Sequence, residues 1–97
     1  MPNYVTLLNF TDQGIKTVKE TLQRAEGAAA LGKRLGGTIK EVLWTLGPYD
    51  LVALADAPDD ETATAFALAI GSQGNARTLT MRAFNRDEMS RILAKLP

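Results

Sequence analysis

The sequence predicts an α+β domain in which helices cover one face of a four-stranded antiparallel sheet. Three observations favour this class. Four short runs are rich in β-branched and aromatic residues, two longer stretches between them have helical spacing, and a tight turn joins the second run to the third. A chain of 97 residues is long enough for one small domain, so we expect residues 1–97 to form a single unit.

The first third predicts a strand followed by a helical segment. Residues 4–10 are short, apolar and β-branched, as expected for a strand. Thr11 or Asp12 can cap the helix that follows, and the glycine pair at 36–37 can end it. The apolar positions with helical spacing in this segment are Ile15, Val18, Leu22, Ala28, Leu31 and Leu35. Gly27 either bends this helix or divides it into two pieces.

The middle of the chain predicts a β-hairpin. Residues 38–46 and 51–57 are two apolar runs, and Gly47-Pro48-Tyr49-Asp50 has the composition of a tight turn. Two strands joined by so short a turn pair antiparallel. Pro58 ends the second of them.

The last third predicts a helix, a strand and a second helix. The acidic residues 59–61 stand where the positive end of a helix dipole stabilises them, and residues 76–84 alternate as a strand. Asn85 and Glu88 have the spacing of a capping box. The apolar stripes of the two helices are Ala63, Phe66, Ala67 and Ile70, then Met89, Ile92, Leu93 and Leu96. The order β-α-β-β-α-β with a C-terminal helix is ferredoxin-like.

Both faces of the predicted sheet carry apolar residues. In the third strand, for example, Ala53 and Ala55 alternate with Val52 and Leu54, so neither face is polar. We expect the small alanines to face the helices, where close approach is needed, and Val52, Leu54 and Asp56 to face outward. A second copy of the sheet is the economical cover for that second face, so we expect a homodimer, with further assembly left open.

The composition excludes several classes of protein. The chain has no cysteine and no histidine, so it has no disulfide scaffold, thiol nucleophile, Ser-His-Asp triad or His-ligated metal, and we expect no cofactor and no metal. Eleven basic and eleven acidic residues give zero net charge, which argues against a nucleic-acid partner despite Lys16 and Lys19 on the first helix. Charge is nevertheless segregated: +3 over residues 1–40, −6 over 41–61 and +3 over 62–97.

The chain resembles the GYD-domain family of small bacterial proteins over nearly its whole length. The resemblance is carried by LLNFTDQG at residues 7–14, by TLGPYDLV at 45–52 with APDD at 57–60, and by GNART at 74–78 leading to RAF at 82–84. It implies a dimeric α+β barrel in which two ferredoxin-like sheets pack face to face. It implies no activity, because the wider superfamily contains cofactor-independent monooxygenases, isomerases and haem enzymes.

The signature turn supports two interpretations. Tyr49 can serve as an acid or hydrogen-bond donor and Asp50 as a base. Alternatively, Gly47 and Pro48 set the backbone, Asp50 binds amides of the turn, and the Tyr49 ring packs at the end of the sheet, which accounts for all four residues without chemistry.

A second candidate set could line a small-molecule site between two sheets. Its members are Asn9, Trp44, Thr78, Thr80 and Arg82. Thr78, Thr80 and Arg82 share one face of the fourth strand, and if that face looks into the dimer they place a few polar groups among apolar walls. Arg82 then holds an anion, or it pairs with Asp56 or with an acid of the partner chain.

Two other motifs favour structural explanations. Residues 27–34 nearly match a phosphate-binding loop, but Arg34 stands where a hydroxyl must hold magnesium, and the run continues a helix. The acids at 56 and 59–61 fit no calcium loop, and helix capping explains the last three.

Two functional classes remain open. The first is a homodimeric binding or assembly module whose interface holds a small apolar or aromatic molecule, or nothing. The second is a cofactor-independent monooxygenase or isomerase acting on an enolisable aromatic, with Tyr49, Asp50 or Arg82 in catalytic roles. The longest uncharged stretch, residues 62–76, is too short and polar to span a bilayer, and no secretory signal is visible, so we expect a cytoplasmic protein without a membrane partner.

Overall fold

The computed structural model describes residues 1–97 and confirms the ferredoxin-like architecture. The strands are β1 (Asn3–Phe10), β2 (Thr38–Trp44), β3 (Leu51–Asp56) and β4 (Ala76–Ala83), and the helices are α1 (Asp12–Lys16), α2 (Thr21–Arg34), α3 (Asp60–Ser72) and α4 (Arg86–Leu93). The strands form one antiparallel sheet in the order β2-β3-β1-β4. The predicted hairpin of β2 and β3 is confirmed. No helix in the structure combines the length and the apolar character that crossing a membrane requires.

The strand register decides which side chains face the helices. Tyr4 pairs with Ala55 of β3 and Arg82 of β4, and its hydroxyl donates a hydrogen bond to Asp60 of α3 at 2.6 Å. Side chains alternate between the faces of a strand, so Ala53 and Ala55 lie on the helix side. Val52 and Leu54 therefore point away from the helices, as expected from the small alanines that alternate with them in β3.

The first helical segment differs from the prediction. It is broken at Thr17, where α1 ends and a single 3₁₀ turn over Val18–Glu20 leads into α2, while Gly27 lies inside an unbroken α2. The spacing of Ile15, Val18 and Leu22 therefore crosses two breaks, and their side chains are 51%, 38% and 62% exposed. Two later positions of the predicted series do face the sheet, namely Ala28 and, just after the helix, Leu35. The other residues on the core-facing side of α2 are Thr21, Arg24, Ala25 and Gly32.

Both C-terminal helices begin at the predicted caps. The Asp59 carboxylate accepts a hydrogen bond from the Thr62 amide at 2.8 Å, and hydrogen bonds from Thr62 hold the pKa of Asp59 below its ordinary value. At α4 the capping box is complete: the Asn85 side chain accepts from the Glu88 amide, and the Glu88 carboxylate accepts from the Asn85 amide. These caps fix where each helix starts.

The interior of the protomer is sparsely filled. Only three apolar side chains are buried, namely Tyr4, Leu51 and Ala57, and none of the large ones is fully excluded from solvent. Helix α2 approaches the sheet closely at Gly32, where an added Cβ would lie 3.7 Å from Ile39 and 3.9 Å from Phe66. The helices therefore shelter one sheet face with little buried side-chain volume.

Among the glycines, Gly14 makes the closest approach to another part of the backbone. A Cβ at this position would lie 1.9 Å from the Asn75 carbonyl oxygen, whereas a Cβ at Gly27 in α2 meets nothing within 4 Å. We expect Gly14→Ala to lower the free energy of unfolding by about 3 kcal/mol, because the backbone of α1 must move away from the turn before β4. Gly27→Ala is the matched control and is expected to raise stability by about 0.5–1 kcal/mol. Urea denaturation measures both, and a Gly14→Ala protein as stable as the wild type would contradict this packing.

Candidate functional site

The Gly47-Pro48-Tyr49-Asp50 turn is held by hydrogen bonds to the neighbouring strand. Asp50 Oδ2 accepts from the Phe10 amide at 2.8 Å, and the Asp50 amide donates to the Leu8 carbonyl at 2.9 Å. Gly47 has φ +144°, a conformation that side chains rarely adopt. The Asp50 carboxylate thus joins the turn to β1, which supports the structural interpretation of this residue.

Parts of the three motifs that carry the family resemblance meet at one end of the sheet, whereas APDD at 57–60 and RAF at 82–84 lie at the other end. The Thr11 amide donates to the Asn75 carbonyl at 3.1 Å, and Gln13 Nε2 donates to Asn75 Oδ1 at 2.9 Å. Asp50 reaches the same end through its bond to Phe10. These polar residues therefore fasten the loops around the end of β1 and the starts of β3 and β4.

Arg82 lies in a cluster at the opposite end of the sheet. Its Nη2 is 3.4 Å from Glu88 Oε2, and its guanidinium lies 4.6 Å from the centre of the Phe84 ring and 5.7 Å from that of Tyr4. The amide of Asn85 is the main cause that holds the pKa of Glu88 below its ordinary value, and Arg82 adds to the effect. The cluster positions the first turn of α4 against the sheet.

The expected pairing of Arg82 with Asp56 is wrong within the protomer. Tyr4 is the register partner of Arg82, and the adjacent residue Asn3 is the partner of Asp56, so the two side chains leave opposite faces of the sheet. Asp56 Oδ2 instead lies 3.8 Å from Lys40 Nζ.

Tyr4 anchors β1 to α3 beside this cluster. Burial is the largest of the causes that raise the pKa of Tyr4 from 10.0 to about 12, and the hydrogen bond to Asp60 acts in the same direction. The phenol is therefore a proton-bearing donor throughout the physiological pH range.

The structure places four of the five members of the second candidate set on the helix side of the sheet. Thr78, Thr80 and Arg82 lie on the helix side of β4, because their register partners Leu8, Thr6 and Tyr4 face the helices. Trp44 also faces the helices, and its Nε1 donates to Thr21 Oγ1 at 3.0 Å. Asn9 lies on the other face. The polar residues of β4 therefore do not line the face that is open to a second sheet.

The open face of the sheet is an apolar surface that no element of the protomer covers. We call this surface the open face; its apolar members are Val5, Leu7, Leu43, Val52, Leu54, Leu79 and Met81. Leu43 is 51% exposed, Leu54 41%, and Leu79 and Met81 44% each. Leu79 and Met81 were not predicted to lie on this face, although their alternation with the threonines of β4 indicates that they share one face.

Helix α4 carries a second apolar surface without a partner in the protomer. Its first turn is fixed by the capping box and by Arg82. On α4 and the short segment after it, Met89, Leu93 and Leu96 are 45%, 53% and 66% exposed. We call these three residues the α4 stripe. The protomer thus presents two apolar surfaces, one on the sheet and one on the C-terminal helix.

The acidic run and the glycine-rich run have structural roles. Asp59 caps α3 and Asp60 accepts from Tyr4, and no three acidic residues come close enough together to hold a metal ion. Residues 27–34, which nearly match a phosphate-binding loop, lie within the continuous α2 helix.

Comparison with known proteins assigns the chain to a family. The family model described as GYD domain matches residues 4–93. The chain belongs to the GYD-domain family. A relative from Thermus thermophilus, described as a glutamine synthetase and cystathionine beta-lyase binding protein, is 31% identical over 84 residues, which cover 86% of this chain and 88% of that protein.

Solved structures of similar shape support the fold of this GYD protein. The protein TTHA0845 from Thermus thermophilus has 26% identity and a TM-score of 0.57, with 88% of this chain and 95% of that chain covered. The leucine response regulatory protein LrpA of Mycobacterium tuberculosis has 13% identity and a TM-score of 0.58, with 87% of this chain and 51% of that chain covered. The second likeness shows the fold alone.

The buried phenol of Tyr4 gives this GYD protein an alkaline stability limit. Since its pKa is 10.0 in the unfolded chain and about 12 in the folded one, its contribution is complete below pH 10 and is lost as the pH rises to about 12. Tyr4→Phe removes this component, along with a hydrogen bond contributing about 1 kcal/mol at neutral pH. Urea denaturation of both proteins from pH 8 to pH 12 should show the wild type losing stability relative to the variant above pH 10. A difference that stays constant over that range would refute the assignment.

Proposed function

We propose that this GYD protein is a homodimeric binding module in which the open faces of two copies pack against each other. The observation that carries the proposal is the contiguous apolar surface of the open face, on which four large side chains (Leu43, Leu54, Leu79 and Met81) are 41–51% exposed in the protomer. Exposed apolar surface of this extent on a small protein marks an interaction site.

The size of the open face suits a stable dimer. Strands about 4.8 Å apart that rise about 3.3 Å per residue give a four-stranded sheet of this length a flat area of roughly 500 Å². The accessible surface of the projecting side chains exceeds that flat area, and specific interfaces bury about 800 Å² on each partner. Two such faces also satisfy the aligned packing that twisted sheets prefer.

The partner of the dimer is proposed to be a larger metabolic enzyme. The relative that is 31% identical is described as a protein that binds glutamine synthetase and cystathionine beta-lyase. If the open face is used between copies, the α4 stripe is the apolar surface left for such a target. An amphipathic helix that lays its apolar side into a groove is a common mode of protein recognition.

No observation favours the enzymatic alternative. The Asp50 carboxylate, its candidate base, is bound to the Phe10 amide, and Arg82 is bound to Glu88. Both contacts hold elements of the fold together and point to no substrate, so we do not extend that hypothesis.

Leu54→Asp tests the dimer. A carboxylate in the centre of an apolar interface is expected to raise the dissociation constant at least about a hundredfold, because it is desolvated without a partner. Leu68→Asp is the matched control, since Leu68 lies on α3 and is 69% exposed. Light scattering after size exclusion at micromolar concentration should give dimeric wild type, dimeric Leu68→Asp and monomeric Leu54→Asp. A monomeric wild type, or a Leu54→Asp protein that stays dimeric, would reject the proposal.

Leu93→Glu tests the enzyme-binding surface. Immobilised glutamine synthetase from the same organism should capture the wild type, and Leu93→Glu should weaken capture at least about tenfold, because it removes an apolar anchor of the α4 stripe. Leu46→Glu is the control, because Leu46 is fully exposed in the turn after β2. Both variants should remain dimeric by light scattering. Equal capture of all three proteins would place the binding surface elsewhere, and no capture of the wild type would exclude this enzyme as the partner.

A further inference from the structure

We propose that the space between the sheet and helices α2 and α3 is a binding site for one small, neutral, aromatic molecule. This space is a cavity of about 130 Å³ on the side of the sheet opposite the open face. It lies within a single protomer, so it does not depend on the dimer.

The cavity walls are apolar and come from all layers of the fold. The sheet contributes Leu8, Val42 and Ala53, α2 contributes Ala28, and α3 contributes Phe66 and Ala67. Three of these six residues are alanines at positions where a larger side chain would project into the space. The small size of these three side chains therefore leaves the space unfilled where the helices face the sheet.

The volume matches one aromatic ring. An engineered cavity of about 150 Å³ lined by apolar side chains binds benzene, so a space of this size can hold a single aromatic ring. Phe66 supplies an aromatic edge or face against which such a ring can pack. Binding of the ring would fill space that the protomer leaves empty, since few of its apolar side chains are buried.

The polar groups of the walls favour a neutral ligand. Thr6 Oγ1 and Thr80 Oγ1 lie 3.0 Å apart, so they satisfy each other with one hydrogen bond and keep a further hydroxyl hydrogen and lone pairs for a phenol. Two charged residues lie at the margin. Arg24 donates to the Gly14 carbonyl at 3.1 Å, whereas the Asp56 side chain leaves the opposite face of the sheet, where its Oδ2 is 3.8 Å from Lys40 Nζ and its Oδ1 has no hydrogen-bond partner. Neither charge therefore points into the space to hold an ion.

Toluene and p-cresol are suitable probes, and a titration followed by amide chemical shifts measures their binding. We expect saturable binding of at least one probe to the wild type, with the shifts concentrated on residues of the cavity wall. Ala67→Leu fills the space and should weaken binding at least about tenfold. Ala65→Leu is the matched control, because Ala65 is exposed on the outer side of α3.

Two further variants allow for misfolding of Ala67→Leu and distinguish the cavity from the dimer interface. If Ala67→Leu does not fold, Ala28→Leu on α2 fills the same space, with exposed Ala30→Leu as its control. Leu54→Asp should bind the probe as the wild type does, which separates this site from the dimer interface. The proposal is overturned if neither probe binds saturably up to its solubility limit, or if the filling variants bind as tightly as the wild type.

Discussion

The structure depends on one imbalance: its sheet has two apolar faces, but its helices cover only one. The register places Tyr4 and Ala53 under the helices and leaves Leu54 and Leu79 exposed on the other side. Burial of apolar surface is the main favourable contribution to folding, and a chain of 97 residues has a small margin of stability. In the proposed dimer, the contacts that cover the open face would contribute both to stability and to assembly.

The sequence predicted those elements whose signals are local. The capping box at Asn85 and Glu88 needs two residues three positions apart, and the structure shows it intact. The hairpin around Gly47 was equally predictable, because turn composition and flanking apolar runs lie next to each other. In both cases the residues that make the contact are neighbours in the chain.

The predictions were wrong where the local structure depends on contacts between residues that are far apart in the sequence. The spacing of Ile15, Val18 and Leu22 predicts one helix across Thr17, whereas α1 ends at Lys16 and a 3₁₀ turn separates it from α2. The fourth strand has threonines on one face and Leu79 and Met81 on the other, and only its pairing with β1 shows which face meets the helices. The partner of Arg82 likewise follows from that pairing.

The family signature in this chain is a set of structural contacts. Asp50 holds the Phe10 amide, and Thr11 and Gln13 hold Asn75. These contacts fix the loops at one end of the sheet. Other residues of the same motifs reach the surfaces proposed to bind, since Leu7 lies on the open face and Leu8 lines the cavity under the helices.

Solvent exposure of individual methyl groups shows whether a second copy covers the open face in solution. The protein is studied with a soluble paramagnetic probe, at concentrations where it is associated. We expect the methyl groups of Val52, Leu54 and Leu79 to be shielded from the probe, and those of Leu68 on α3 to relax rapidly. Equal relaxation of the open-face methyl groups and of Leu68 would mean that nothing covers the open face, and the proposed dimer would be rejected.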